Sequence, residues 1–86
     1  GWTIDEEIKK ISRDFMFKDF VKAVEFVNHV ADIAEIEDHH PDIFVHYNKV
    51  RLDLWTHAIG GLSENDFIVA AKIDDMLSLF GGNILK

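Results

Sequence analysis

The chain has 86 residues, 48% of them hydrophobic and 12% aromatic, which is enough for one small core and too little for two domains. It has no Cys, so neither a disulfide framework nor a thiolate metal cage stabilises it, and a reducing, intracellular setting is compatible. Sixteen acidic against nine basic side chains give a formal charge of −7, a field that repels phosphate backbones and argues against direct nucleic-acid binding. No apolar run approaches the roughly 20 residues of a membrane span, and no basic segment followed by an apolar one opens the chain. A cytoplasmic protein without membrane contact is expected. The chain begins with Gly1 and not Met, which points to a trimmed or truncated start.

In chain order, Trp2 to Glu6 and Ile11 to Phe17 alternate as short strands do, with Ile11, Arg13, Phe15 and Phe17 on one parity. Asp19 is an N-cap for a helix from about Phe20 to Ile36, because Phe20, Ala23, Val24, Val27, Val30, Ala31 and Ala34 recur at three- and four-residue steps. Pro41 disfavours helical backbone at His40, so the helix exits before it. Phe44 to Tyr47 and Val50 to His57 then flank Asn48-Lys49 as a strand pair. In the second of these, Val50, Leu52, Leu54 and Thr56 face one way and Arg51, Asp53, Trp55 and His57 the other. Gly60-Gly61 breaks that strand, and Ser63-x-x-Asp66 reads as a capping box. The helix it starts has an apolar side of Phe67, Val69, Ala70, Ile73, Met76, Leu77 and Phe80, and Gly81-Gly82 ends it. The order strand, strand, helix, strand, strand, helix implies an α+β fold, a four-stranded antiparallel sheet with both helices on one face, in a single domain spanning residues 1–86. Such a sheet leaves one face and two edges open, and self-association is the expected remedy.

The five His are not equivalent. His29 reads as solvent-facing in mid-helix, and His46 has no assigned role. His39 and His40 lie on irregular backbone at a helix exit, with Glu35 one turn earlier and Asp38 adjacent, so imidazole acid, imidazole base and orienting carboxylate lie close together. His57 sits where a strand hands over to a loop, a common place for sites. From residue type alone, three surface imidazoles are the better reading. Three imidazoles and a carboxylate can also bind zinc, but adjacent His39 and His40 must splay to reach one ion, and metal ranks below acid–base chemistry. Asp66 is sufficiently explained as a carboxylate in the first turn of a helix. Trp2 and Trp55 read as core or interface aromatics, Trp55 being the more interesting because it shares strand parity with His57.

Together, Glu35-x-x-x-His39-His40-Pro41, Tyr47-Asn48-Lys49-Val50, Thr56-His57 and Gly61-Leu62-Ser63-Glu64-x-Asp66 resemble the signature of the pterin-4a-carbinolamine dehydratase family. Phe15-x-Phe17-Lys18-Asp19-Phe20 and Gly1-Trp2 are similar to its second strand and helix start and to its first strand, so the resemblance covers nearly the whole chain. It implies an enzyme that removes water from a 4a-hydroxytetrahydropterin to give the quinonoid dihydropterin in tetrahydropterin recycling. It also implies no metal and no cofactor, and assembly as a homodimer or homotetramer. The family usually carries a further helix ahead of the first strand, which is absent from this sequence.

Carried over by position, the resemblance implies that His39 and His57 are catalytic and that His40 helps hold the pterin. It places Asp38, Trp55, Thr56 and Ala58 in the two substrate-binding stretches, with Glu35 and Trp2 lining the pocket. Animal members commonly carry a small polar residue at the place of Trp55 and an acidic one at that of Ala58, so the pocket rim is expected to differ. The residue types suit the chemistry: expelling hydroxide from C4a needs a proton donor at the leaving oxygen, and the product needs a base for the proton on N5. Asp38 and His40 would orient the ring, and Glu35 would tune a neighbouring imidazole. Two other functions stay open, a dimerisation partner of a transcription factor acting through a helical surface, and a dehydratase-like protein acting on another pterin.

Overall fold

The computed structural model describes residues 1–79; the expected helix residue Phe80 and the terminator Gly81-Gly82 lie outside the described residues. Four strands, β1 (Thr3–Asp5), β2 (Lys10–Met16), β3 (Asp42–His46) and β4 (Lys49–Leu54), and two helices, α1 (Phe20–Glu37) and α2 (Glu64–Leu79), follow one another as β1-β2-α1-β3-β4-α2. The strands form one antiparallel sheet in the order β1-β2-β4-β3. The fold is α+β, as the alternation of periods requires.

Period-2 patterning decides the sheet's inner face. Phe15 pairs with Val50 and Ile11 with Leu54 across β2 and β4, and all four are buried with Phe17 and Leu52. Against them lie Ala23, Phe26 and Val30 of α1 and Val69, Ile73 and Leu77 of α2. Phe26 sits 4.7 Å from the Phe15 ring and 4.9 Å from the Phe17 ring. The buried stripe of α1 is therefore Ala23, Phe26, Val30 and Ala34, while Phe20 and Ala31, expected to face inward, are exposed. More apolar residues lie along α1 than one stripe can hold, so periodicity alone did not single out Phe26. On α2, Phe67 is likewise exposed, whereas Val69, Ala70, Ile73 and Leu77 are buried as expected.

Asp19 caps α1 by accepting the Lys22 N–H at 2.9 Å. Other boundaries move from their expected places. The hairpin turns at Tyr47-Asn48 and not at Asn48-Lys49, because Tyr47 takes φ 57° and Lys49 already pairs with His46. β3 starts at Asp42, where the chain leaves Pro41, and β4 stops at Leu54, three residues before His57. Helix α2 is tied to the first strands through Asp74, which accepts from Trp2 Nε1 at 3.0 Å and Arg13 Nη1 at 2.7 Å.

The outer sheet face carries one buried charge. Asp53 is only 1% exposed and accepts from Lys10 Nζ at 2.7 Å, Ser12 Oγ at 2.7 Å and Arg51 Nε at 2.9 Å. Burial pushes this carboxyl up, but the three donors together outweigh it and hold it below the usual carboxylate range. A carboxyl lowered on folding contributes stability above its unfolded value, about 4, and loses that contribution as pH falls through its lower folded value. In urea unfolding, the wild-type midpoint is expected to fall more steeply below about pH 4 than that of Asp53→Asn, whose baseline midpoint at pH 7 is lower.

Candidate active site

The site begins where α1 ends. Asp38 takes the left-handed conformation, φ 52° and ψ 42°, that usually calls for Gly and that Asp tolerates. The His39 N–H reaches back to the Ala34 carbonyl at 3.1 Å and the Asp38 N–H to that of Glu35 at 3.4 Å, closing the last turn. The chain thereby leaves the helix at a sharp angle, and Pro41 prevents it from resuming.

The second half is built after β4. Thr56 and Gly61 pair across a short loop, with Thr56 N–H donating to Gly61 O at 2.7 Å and Gly61 N–H to Thr56 O at 3.3 Å. Between them His57–Ile59 forms a 3-10 turn closed by Gly60, whose φ of 61° a side chain would strain. His57 is thus on a turn and not at a strand end. The strand stops because Thr56 exchanges its backbone bonds with Gly61 instead of a neighbouring strand.

Segments 38–42 and 55–58 are the two walls of a cleft of about 430 Å³. Six of the nine expected site residues need no qualification: Asp38, His39, His40, Trp55, His57 and Ala58 all border this cleft. Thr56 borders it too, but its hydroxyl is spent inward, donating to Asp66 Oδ2 at 2.9 Å and accepting from Ser63 Oγ at 2.6 Å. Glu35 stands behind the wall, its carboxylate 2.6 Å from His40 Nε2, so it reaches the cleft through that imidazole. Trp2 does not border the cleft; its ring meets Phe15 edge-on and its Nε1–H is held by Asp74.

Beneath both walls lies Asp66, with no exposed surface. Its Oδ1 is 2.6 Å from His39 Nε2, and its Oδ2 accepts the Thr56 hydroxyl and, at 2.9 Å, the Ser63 N–H. A carboxylate has no hydrogen to give, so the one between Asp66 and His39 belongs to Nε2, which in the neutral imidazole makes Nδ1 the acceptor. The capping box therefore exists in only one direction: Asp66 caps Ser63, while the Ser63 hydroxyl turns to Thr56. Local spacing explained Asp66 as a cap, and the bond to His39, 27 residues away, is what that spacing could not show. His39 and His40 point their Nε2 atoms at different carboxylates, Asp66 and Glu35. The two imidazoles are held apart.

On the opposite wall Trp55 and His57 lie ring on ring, centroids 3.9 Å apart with planes 32° from parallel. Trp55 Nε1 donates to Asp42 Oδ2 at 3.2 Å, which ties the two walls at the rim as Asp66 ties them at the floor.

The family model for pterin 4 alpha carbinolamine dehydratase matches residues 1–76. The chain belongs to this family. It is 51% identical over 79 residues to pterin-4-alpha-carbinolamine dehydratase 2, mitochondrial, of Arabidopsis thaliana, a match covering 88% of this chain and 42% of that one. To a putative pterin-4-alpha-carbinolamine dehydratase of Nitrosomonas eutropha it is 53% identical over 77 residues, covering 90% of this chain and 66% of the other. The chain thus spans between two fifths and two thirds of the length of these relatives. Among solved structures it resembles a transcriptional coactivator/pterin dehydratase from Brucella melitensis, with a TM-score of 0.82, 40% identity, and 87% and 80% of the two chains covered. A pterin dehydratase-like protein described as a RuBisCO assembly factor in the alpha-carboxysome has the same fold, with a TM-score of 0.74, 20% identity and 87% of each chain covered. Among the described residues of this dehydratase-family chain, no helix is long and apolar enough to cross a membrane.

Removing the carboxylate takes away the acceptor of three part-buried donors, His39 Nε2, the Thr56 hydroxyl and the Ser63 N–H. Asp66→Ala is expected to cost on the order of 3 kcal/mol in urea unfolding and Thr56→Val about 1 kcal/mol. In ¹⁵N spectra of the ring, wild-type His39 is expected to carry its hydrogen on Nε2, and Asp66→Ala to lose that preference.

Proposed function

We propose that the chain dehydrates a 4a-hydroxytetrahydropterin to the quinonoid dihydropterin by histidine acid–base catalysis. The observation that carries this reading is the pair of imidazoles on the two walls of one cleft, His39 anchored by a buried carboxylate and His57 exposed on a turn. The C4a–O bond breaks as one imidazole gives a proton to the departing hydroxyl, which leaves as water. The N5–H bond breaks as the other imidazole takes that proton, and its electron pair forms the C4a=N5 double bond. One proton is given and one taken, so the histidine pair returns to its starting charge once a proton passes between the two or through water.

His39 suits the base: its Nε2 hydrogen is engaged by Asp66, its Nδ1 is the acceptor of the neutral ring, and the carboxylate steadies the imidazolium that forms. His57 suits the acid. His40, braced by Glu35, and Asp38 contribute to holding the pterin between the walls, with Ala58 and Trp55 at the rim on the side of the His57 turn. In this reading Thr56 and Asp66 act from behind, and Trp2 supports the core instead of the pocket.

A second reading, a protein-binding role, is favoured by one observation: Phe20, Val21 and Ile36 of α1 and Phe67 and Ile68 of α2 are apolar and exposed. A helical partner, or another copy of the chain in a homodimer or homotetramer, would cover them.

Stopped-flow absorbance, with a 4a-hydroxytetrahydropterin generated in situ, tests the first reading. His39→Ala and His57→Ala are each expected to lower turnover by roughly 10²- to 10⁴-fold, and His40→Ala to raise KM more than it lowers kcat. Wild-type turnover in both His39→Ala and His57→Ala would remove the assignment. Charge substitutions at Val21 and Ile36 that alter sedimentation but not turnover would assign the exposed helical face to association instead.

A further inference from the structure

We propose that Trp55 is the positioning residue of His57, a role in which the indole acts on the imidazole and not on the pterin. His57 needs such a device more than His39 does. It is exposed, it sits on a three-residue turn, and no hydrogen bond from its ring is present among the described side-chain contacts, whereas His39 is gripped by a carboxylate in the floor. Among the described residues, the ring contact of His57 is with Trp55, whose centroid lies 3.9 Å away at 32°. Trp55 is itself fixed at its far end by the 3.2 Å bond from Nε1 to Asp42 on the opposite wall. Asp42, Trp55 and His57 thus form a chain of contact across the rim.

An indole face attracts an imidazolium through its quadrupole, so the contact fixes the orientation of the ring when it carries its proton. That is the state an acid needs before it gives up its proton. The charged or titratable groups bordering the same cleft are Asp38, His39, His40 and Asp42, and of these Asp42 is held by the indole itself. The 3-10 turn makes the contact possible. In an extended strand, residues two apart point the same way but stand nearly 7 Å apart, too far for rings to stack.

The proposal rests on the dehydratase reading for its kinetic arm only. At exposed sites a cation–π contact is worth a factor of about two to five, so Trp55→Ser is expected to lower kcat about five-fold, and Trp55→Phe, which keeps a ring but not the Asp42 bond, about two-fold. KM is expected to stay within about two-fold of wild type in both. Asp42→Ala, which frees the indole, is expected to behave as Trp55→Phe does. A rise in KM with kcat intact in Trp55→Ser overturns the proposal, since it makes Trp55 a direct pterin contact. The second arm needs no substrate. Imidazolium quenches indole emission, so the part of the tryptophan fluorescence that Trp55→Phe removes is expected to dim as pH falls through the histidine range, in wild type and in His40→Gln but not in His57→Gln. The same dimming in His57→Gln overturns the proposal. An inactive wild-type chain with this signal intact counts against the dehydratase reading and leaves the stacking of His57 on Trp55 standing.

Discussion

Burial of the Asp66 carboxylate is the constraint on which the arrangement of the site depends. A carboxylate with no exposed surface is tolerable only if its lone pairs are filled, and here three donors fill them from three directions: the exit of α1, the turn after β4 and the start of α2. Each donor is thereby fixed relative to the others. His39 cannot rotate without abandoning a buried charge, and the loop at Thr56 cannot slide without doing the same. Lying in the first turn of α2 adds the favourable end of the helix dipole to the same oxygens.

The sheet supplies the platform. β4 is central, and its register with β2 and β3 brings the chain ends at Leu54 and Asp42 to the same end of the sheet, where the exit of α1 and the turn at His57 face one another. The floor is closed by Asp66 and the rim by Trp55 and Asp42, so two irregular segments behave as one cleft. A second buried carboxylate, Asp53, sits on the outer sheet face with Lys10, Ser12 and Arg51 around it and is remote in kind from the first: its donors are mostly charged, and it steadies strands and not the walls of the cleft.

The two catalytic candidates are held by different physics. His39 has a hydrogen-bonded anion behind it and a defined tautomer, which suits acceptance of a proton. His57 has an aromatic face beside it and solvent in front, which suits the proton-donor role proposed for it. One cleft therefore presents two imidazoles whose surroundings push them toward different tasks, although they are the same residue type.

Much of this was legible in the residues. The parity of Ile11, Phe15 and Phe17, the cap at Asp19, the stop at Pro41 and the turn glycine at Gly60 are local signals, and each acts within a few residues by sterics or by one hydrogen bond, so the order of elements and the α+β class follow from the chain alone. The grouping of Glu35, Asp38, His39 and His40 was visible as a spacing, whereas His57 joined them only through the family resemblance. What only the tertiary structure decided depends on contacts between distant segments: that Phe26 and not Phe20 faces the sheet, that Thr56 turns its hydroxyl inward, that Trp2 belongs to the core, that Trp55 lies on His57 because the strand has already ended, and that Asp66 joins His39 instead of merely capping α2. Periodicity and spacing report what a residue does to its neighbours in sequence, whereas a buried hydrogen bond across 27 residues exists only once packing has brought both partners out of water.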